Sequence, residues 1–194
     1  MKYQVVIVGG GPVGVALAVD LGLRGITCLL VERHLEPQRI PKGQNLTQRS
    51  VEHFWRWGVV DELRAARAMP PEYPMSGIIA YGDLMTDDWY APPLRELVNS
   101  YYFQDNERLP QYRTEAVLRA KLATLPSVEA RFGWSMETVE QDDGGVRVTI
   151  VTADGSAREV IDAEYAVGCD GSHSQMREQI GIPRSGADFD QDMV

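Results

Sequence analysis

The residues most able to do chemistry sit near the start of the chain. Gly9-Gly10-Gly11-Pro12-Val13-Gly14 carries the spacing Gly-x-Gly-x-x-Gly. Each motif glycine answers a separate steric demand. Gly9 permits a tight turn out of a strand, Gly11 lets backbone approach a pyrophosphate, and Gly14 lets helix and strand pack closely. A helix opening at this point aims free N–H groups and its positive dipole end at phosphates. Gly9, Gly11, Pro12, Val13 and Gly14 are therefore candidate nucleotide-binding residues. Glu32 follows Gly14 by 18 residues, near the spacing of about 20 at which a carboxylate accepts from both ribose hydroxyls. An acid there argues against a 2′-phosphate, which leaves FAD or NAD as the dinucleotide. The plain alternatives are a glycine turn that binds nothing and a solvated strand-end acid.

A second candidate lies far along the chain. Asp170-Gly171 closes the apolar run Tyr165-Ala166-Val167-Gly168, at the carboxyl edge where parallel sheets bind ligands. Other chemistry is not assembled. The two cysteines, Cys28 and Cys169, have no metal or disulfide spacing, and the three histidines form no ligand set. No Ser/His/Asp triad or carboxylate pair can be built, so no catalytic residue is assigned. Trp55, Trp57, Trp89 and Trp134 read as packing residues, and His53 as a structural one.

The elements that must position these groups follow from periodicity and breakers. Val5 to Val8 is a continuous apolar run suited to a strand buried on both faces. A helix from Val15 to Arg24 is stopped by Gly25, and Thr27 to Val31 is a second buried strand. This strand–helix–strand unit has the roughly 30-residue size of a βαβ crossover. Residues 47–57 read as a helix ending at Gly58, and 60–68 as a shorter one. Pro70, Pro71 and Pro74 break the chain. Gly77 to Tyr81 and Tyr101 to Gln104 are strand candidates, and Thr114 to Leu125 a helix with Thr114 as its N-cap. Residues 128–161 read as a small antiparallel meander, with turns at Asp143-Gly144-Gly145 and Asp154-Gly155. Tyr165 to Gly168 reads as a parallel strand, and Ser174 to Ile180 as a short helix stopped by Gly181. The fold class is α/β, with a Rossmann-like dinucleotide fold.

Composition narrows the function classes. The 194 residues suffice for one well-cored domain and part of another. With 44% hydrophobic and 24% charged residues, the chain is of ordinary globular type. Nineteen Lys and Arg against 28 Asp and Glu give a formal charge of −9, which disfavours nucleic acid and anionic membrane surfaces as partners. No apolar run reaches the roughly 20 residues of a bilayer span, and the first residues show no signal-peptide layout. A cytoplasmic location is expected.

Four features together resemble the para-hydroxybenzoate hydroxylase family of single-component flavoprotein monooxygenases. Gly14-x-x-x-Ala18 extends the glycine motif, and Glu32-Arg33 ends the second strand. Pro41-Lys42-Gly43 through Leu46, Arg49-Ser50 and Glu52 to Gly58 resembles the family's loop and helix. Gly168-Cys169-Asp170-Gly171-Ser172-x-Ser174-x-x-Arg177 closely resembles its second, Asp-Gly fingerprint. The resemblance implies FAD as cofactor, NAD(P)H as co-substrate, O2 as oxidant, and a phenolic or N-heteroaromatic small molecule as substrate. It places Arg33, Lys42, Gly43, Gln111, Asp170 and Gly171 around the cofactor with the glycine loop and Glu32. Asp170 would take a ribityl hydroxyl and Gln111 the flavin chain. Lys42 stands where the family has arginine, and keeps the charge without the bidentate fork. Arg177 reads equally as an aid to NAD(P)H and as a helix-surface arginine.

On this resemblance residues 1–182 form the FAD-binding domain, with 77–104 contributing to a substrate domain that begins at 183–194. The family's third fingerprint, a Gly-Asp motif opening a helix near the flavin ring, is not matched in the sequence. The chain is accordingly expected to be the N-terminal portion of a longer enzyme and to be inactive alone. Two alternatives stay open: a halogenase or reductase on the same scaffold, and a non-catalytic nucleotide-binding module.

Overall fold

Strand β1 (Tyr3–Val8) is apolar at nearly every position, and it lies in the middle of a sheet covered on both faces. In the computed structural model β1 pairs in parallel with β2 (Cys28–Glu32) on one side, Val5 opposite Cys28 and Val8 opposite Val31. Helix α1 (Pro12–Leu23) connects them and packs on one sheet face through Val15, Ala18 and Val19, all fully buried. The structure describes residues 2–40, 42–70, 79–80, 85, 89–90, 97 and 100–186. The chain divides into two compact units, residues 1–36 with 126–194, and residues 37–125.

The first unit is built on one six-stranded sheet, order β7-β2-β1-β10-β9-β8. Here β7 is Val128–Phe132, β8 Trp134–Asp142, β9 Gly145–Thr152 and β10 Arg158–Gly168. The sequence-based meander and the later parallel strand are joined in β10. Its first half pairs antiparallel with β9 and its second half parallel with β1, with Ala163 in both ladders. Strands β7 and β8 lie at opposite ends of the strand order, yet only Gly133 separates them. Gly133 has φ +81°, a backbone conformation glycine adopts without penalty, and it turns one run of chain into two strands. The meander thereby folds over the face of the parallel strands opposite α1. Between them lies a core of Val6, Val8, Leu29, Val31, Val148 and Ile150, which Met176 of helix α5 (Gln175–Gln179) also enters.

An ion cluster ties the ends of these strands together. Glu129 accepts from Lys2 Nζ at 2.8 Å, from the Tyr3 hydroxyl at 2.5 Å and from Arg131 Nε at 2.8 Å. Lys2 first, then Tyr3 and Arg131, lower its carboxyl from the ordinary 4.5 to about 2. A depressed carboxyl stabilises the fold above its unfolded value, and the contribution disappears as pH falls from about 4.5 toward about 2. The side chain is about a third exposed, so screening keeps the effect small. Glu129→Gln is expected to lower stability slightly at neutral pH and to flatten the acid limb in that window. Urea midpoints measured across a pH series check it; a variant as acid-sensitive as the parent would refute the assignment.

The second unit holds α2 (Gln48–Arg56), α3 (Val60–Ala65) and α4 (Gln111–Leu122). It also carries two short ladders, β3 (Asn45–Leu46) with β6 (Glu107–Arg108), and β4 (Ile79–Ala80) with β5 (Trp89–Tyr90). Thr47 caps α2 by accepting from Ser50 N–H. Two expectations are corrected here. Thr114 does not cap α4: the helix starts a turn earlier, at Gln111, because Gln111 N–H donates to Gly43 O and Pro110 supplies the entry conformation. Thr114 is instead buried inside it. Tyr101 to Gln104 is turn and bend, and the local ladder falls on Glu107–Arg108. The proposed strand at Gly77 to Tyr81 lies outside the described residues except for Ile79–Ala80. Helix 60–68 stops at Ala65, and Arg113 Nη1 donates to the Ala66 and Arg67 carbonyls beyond its end at 3.0 Å. Glu107, only 3% exposed, accepts from Arg64 at 3.2 Å and from Arg67 Nε at 2.7 Å. A buried carboxylate here has its charge met twice, as such groups require.

Candidate nucleotide site

The glycine loop joins β1 to α1, and its shape is set by contacts that no side chain could share. Gly9 N–H donates to Val31 O at 2.8 Å, and Cys169 N–H donates to Val8 O at 2.6 Å, so both neighbouring strands grip the end of β1. Gly9 has φ +106°, and a Cβ there would sit 2.3 Å from Cys169 O. A Cβ on Gly14 would sit 1.9 Å from Gly9 O. These two glycines are thus demanded by the fold itself. Gly11 differs: a Cβ there meets nothing within 4 Å.

That open volume lies at the N-terminus of α1. Gly11 is its N-cap and offers no side chain, and Pro12 occupies the first turn, where a missing N–H costs nothing. The first-turn N–H groups are therefore uncapped and face the space a glycine keeps clear, the arrangement that receives phosphate. Val13, in that turn, is 69% exposed.

Glu32, at the end of β2, faces the loop from the side. Its Oε2 accepts from Gly10 N–H at 2.6 Å and its Oε1 from His34 N–H at 2.8 Å. A carboxylate offers about four lone-pair sites, so capacity for hydroxyl donors remains. The Gly10 contact was not legible from spacing alone. A Cβ on Gly10 would come within 2.5 Å of Glu32 Cβ, so the middle of the three consecutive glycines admits the acid. Arg33 is exposed, with Nε set toward His34 at 3.2 Å.

Asp170 follows β10 and is engaged with its own chain. Its Oδ1 accepts from Ser174 Oγ at 2.5 Å and its Oδ2 from Met176 N–H at 3.1 Å. It thereby holds the start of α5 against the strand end, an arrangement the sequence did not reveal. Gly171 has φ +84° with open space where a side chain would project. Arg177 donates to Ser172 O and pairs with Glu178. Cys169 keeps a thiol raised above its ordinary value by burial and then by Asp170, and burial pushes Cys28 up to about 11. Neither supplies a thiolate at neutral pH.

Three candidates belong to the other unit. Lys42 is exposed and has no partner among the described residues. Gly43 O accepts from Gln111 N–H at 3.1 Å, and Gln44 O from Leu109 N–H at 2.9 Å. The Gln111 amide donates through Nε2 to Glu115 Oε1 at 2.7 Å. Among the described residues no group of three His, Cys, Asp or Glu could hold a metal, and no helix is long and apolar enough to cross a membrane.

The residues present therefore fit a dinucleotide: a clear volume at an uncapped helix start, with a partly spent carboxylate beside it. Residues 2–193 match the family described as FAD binding domain. The chain is 34% identical over 185 residues to a 3-(3-hydroxy-phenyl)propionate/3-hydroxycinnamic acid hydroxylase 2 of Burkholderia vietnamiensis, covering 95% of this chain and 32% of that protein. It is also 34% identical over 193 residues to a dialkyldecalin synthase of Streptomyces rugosporus, covering 98% and 37%. A crystal structure of the flavin-dependent monooxygenase PieE in complex with FAD and substrate superposes with a TM-score of 0.83 at 28% identity, covering 95% of this chain and 33% of that one. The chain thus spans about a third of the length of the relatives it matches. With sequence family and fold in agreement over nearly every residue, the chain belongs to the FAD-binding domain family of flavoproteins.

Proposed function

We propose that this chain binds FAD and forms the cofactor-holding part of an enzyme that hydroxylates a phenolic or N-heteroaromatic small molecule, using NAD(P)H and O2. The observation that carries this reading is the clear volume at Gly11, set over the uncapped start of α1 with Glu32 beside it. In this reading the α1 N–H groups hold the pyrophosphate, and Glu32 accepts from the adenosine ribose with its spare lone pairs. Asp170 uses its remaining acceptor capacity on a ribityl hydroxyl, and Gly171 lets backbone come close. Lys42 neutralises phosphate, with Gly43 and Gln111 along the flavin chain. When bound, FAD supplies the redox chemistry, carrying electrons from NAD(P)H to O2. The protein's own work is to grip, orient and keep water out. We assign residues 1–182 to the FAD-binding domain, 77–104 as a contribution to a substrate domain, and 183–194 as that domain's beginning.

The synthase is as similar to this chain as the hydroxylase, so FAD binding does not by itself entail hydroxylation. NAD(P)H oxidation by the full-length protein, followed with a panel of phenols and hydroxypyridines and with product detection, separates the two. Substrate-stimulated oxidation with a hydroxylated product is expected; a flavin-loaded protein that consumes no NAD(P)H under any of these would overturn the hydroxylase reading. The 194 residues alone are expected to bind FAD weakly and to show no substrate-dependent consumption.

A further inference from the structure

Gln111 opens α4, and a single neighbour decides which way round its amide sits. Glu115 lies one helical turn on, only 6% exposed, with Oε1 2.7 Å from Gln111 Nε2. The main-chain N–H of Gln111 is tied to Gly43 O. The amide oxygen of Gln111 takes no hydrogen bond from the described residues, and lies 3.7 Å from where a Gly43 Cβ would project. An amide has one donor end and one acceptor end. A buried acceptor that claims the donor end turns the other outward, and reversing the amide would bring two oxygens together.

We propose that Glu115 is a positioning residue for cofactor binding: by holding Gln111 Nε2, it presents Gln111 Oε1 past Gly43 as the acceptor for a ribityl hydroxyl of FAD. This rests on the reading that Gln111 touches the flavin chain. Nothing in the sequence spacing alone gave Glu115 this part, because an i, i+4 pair on a helix is ordinarily a solvated one. Burial makes the difference: Glu115 is buried, and a buried acceptor left without a donor is costly, so the orientation is held rather than sampled.

The test is a double-variant cycle on the full-length apoprotein, titrated with FAD by flavin fluorescence. Gln111→Ala and Glu115→Met, which keeps about the volume and carries no oxygen acceptor, are each expected to weaken the Kd roughly fivefold, within the range for one net hydrogen bond. The double variant is expected to bind no worse than Gln111→Ala, because Glu115 acts only through Gln111. Losses that multiply would overturn the positioning role, as would a Glu115→Met protein binding FAD like the parent. An unchanged Gln111→Ala would instead remove the underlying contact between Gln111 and the cofactor. Apoprotein melting temperatures are read alongside. If Glu115→Met melts low, Glu115→Asp, which withdraws the acceptor by one methylene, takes its place in the cycle with the same expectations.

Discussion

Gly11→Val is expected to yield a folded, colourless protein. The Gly11 backbone, at φ −70° and ψ −175°, is one that any residue before proline adopts, valine included. Its Cβ would touch nothing within 4 Å of the protein. The folding cost is therefore that of a poor N-cap, about 1 kcal/mol. The ligand cost is far larger, since the branched side chain fills the volume assigned to the pyrophosphate. Losing two charge-assisted hydrogen bonds of about 1.5–3 kcal/mol each corresponds to a Kd weaker by roughly 10²–10⁴-fold. Gly14→Ala supplies the contrast. Its Cβ would lie 1.9 Å from Gly9 O, and backbone cannot step aside, so that variant should lose the fold together with the flavin. Flavin content by absorbance and melting temperature by circular dichroism separate the two cases. A yellow, fully loaded Gly11→Val protein would end the phosphate-loop assignment.

Glu32→Ala should weaken FAD binding by about 1.5–3 kcal/mol, the scale of one hydrogen bond to a charged acceptor, or roughly 10- to 150-fold in Kd. The structure adds a second consequence. Gly10 N–H and His34 N–H both lose their acceptor, so the loop should loosen before any ligand arrives. The apoprotein is accordingly expected to lose about 1 kcal/mol of stability as well. Glu32→Gln tests which role dominates, because it keeps one accepting oxygen and sets an NH2 group against one of the backbone donors. It should recover part of the affinity and little of the stability. Isothermal titration with FAD and urea denaturation of the apoprotein report the two separately. Full affinity in Glu32→Ala would remove the ribose assignment, and unchanged apoprotein stability would remove the loop clamp.

The sequence by itself determined the features that depend on local spacing. Gly9, Gly11 and Gly14 are legible from their spacing within one short loop, although Gly9 is held against distant Cys169 and a Gly11 Cβ would meet no protein atom. Glu32 is legible because a βαβ unit has a nearly fixed length. The α/β class, the helix over 47–57 and the meander turns followed from the same short-range rules. Tertiary structure decided what depends on distant partners. The start of α4 moved from Thr114 to Gln111 because its first N–H is held by Gly43, far back in the chain. Glu107 is buried because Arg64 and Arg67, some 40 residues earlier, meet its charge. Strand β10 belongs to a parallel and an antiparallel ladder at once, and no periodicity within one strand encodes the direction of its neighbours. Asp170 and Glu115 were visible as residues, but their partners became visible only on folding. Backbone sterics act over a few residues and can be read from a string, whereas the burial of a charge or the polarity of an amide is settled by whichever groups the fold brings alongside.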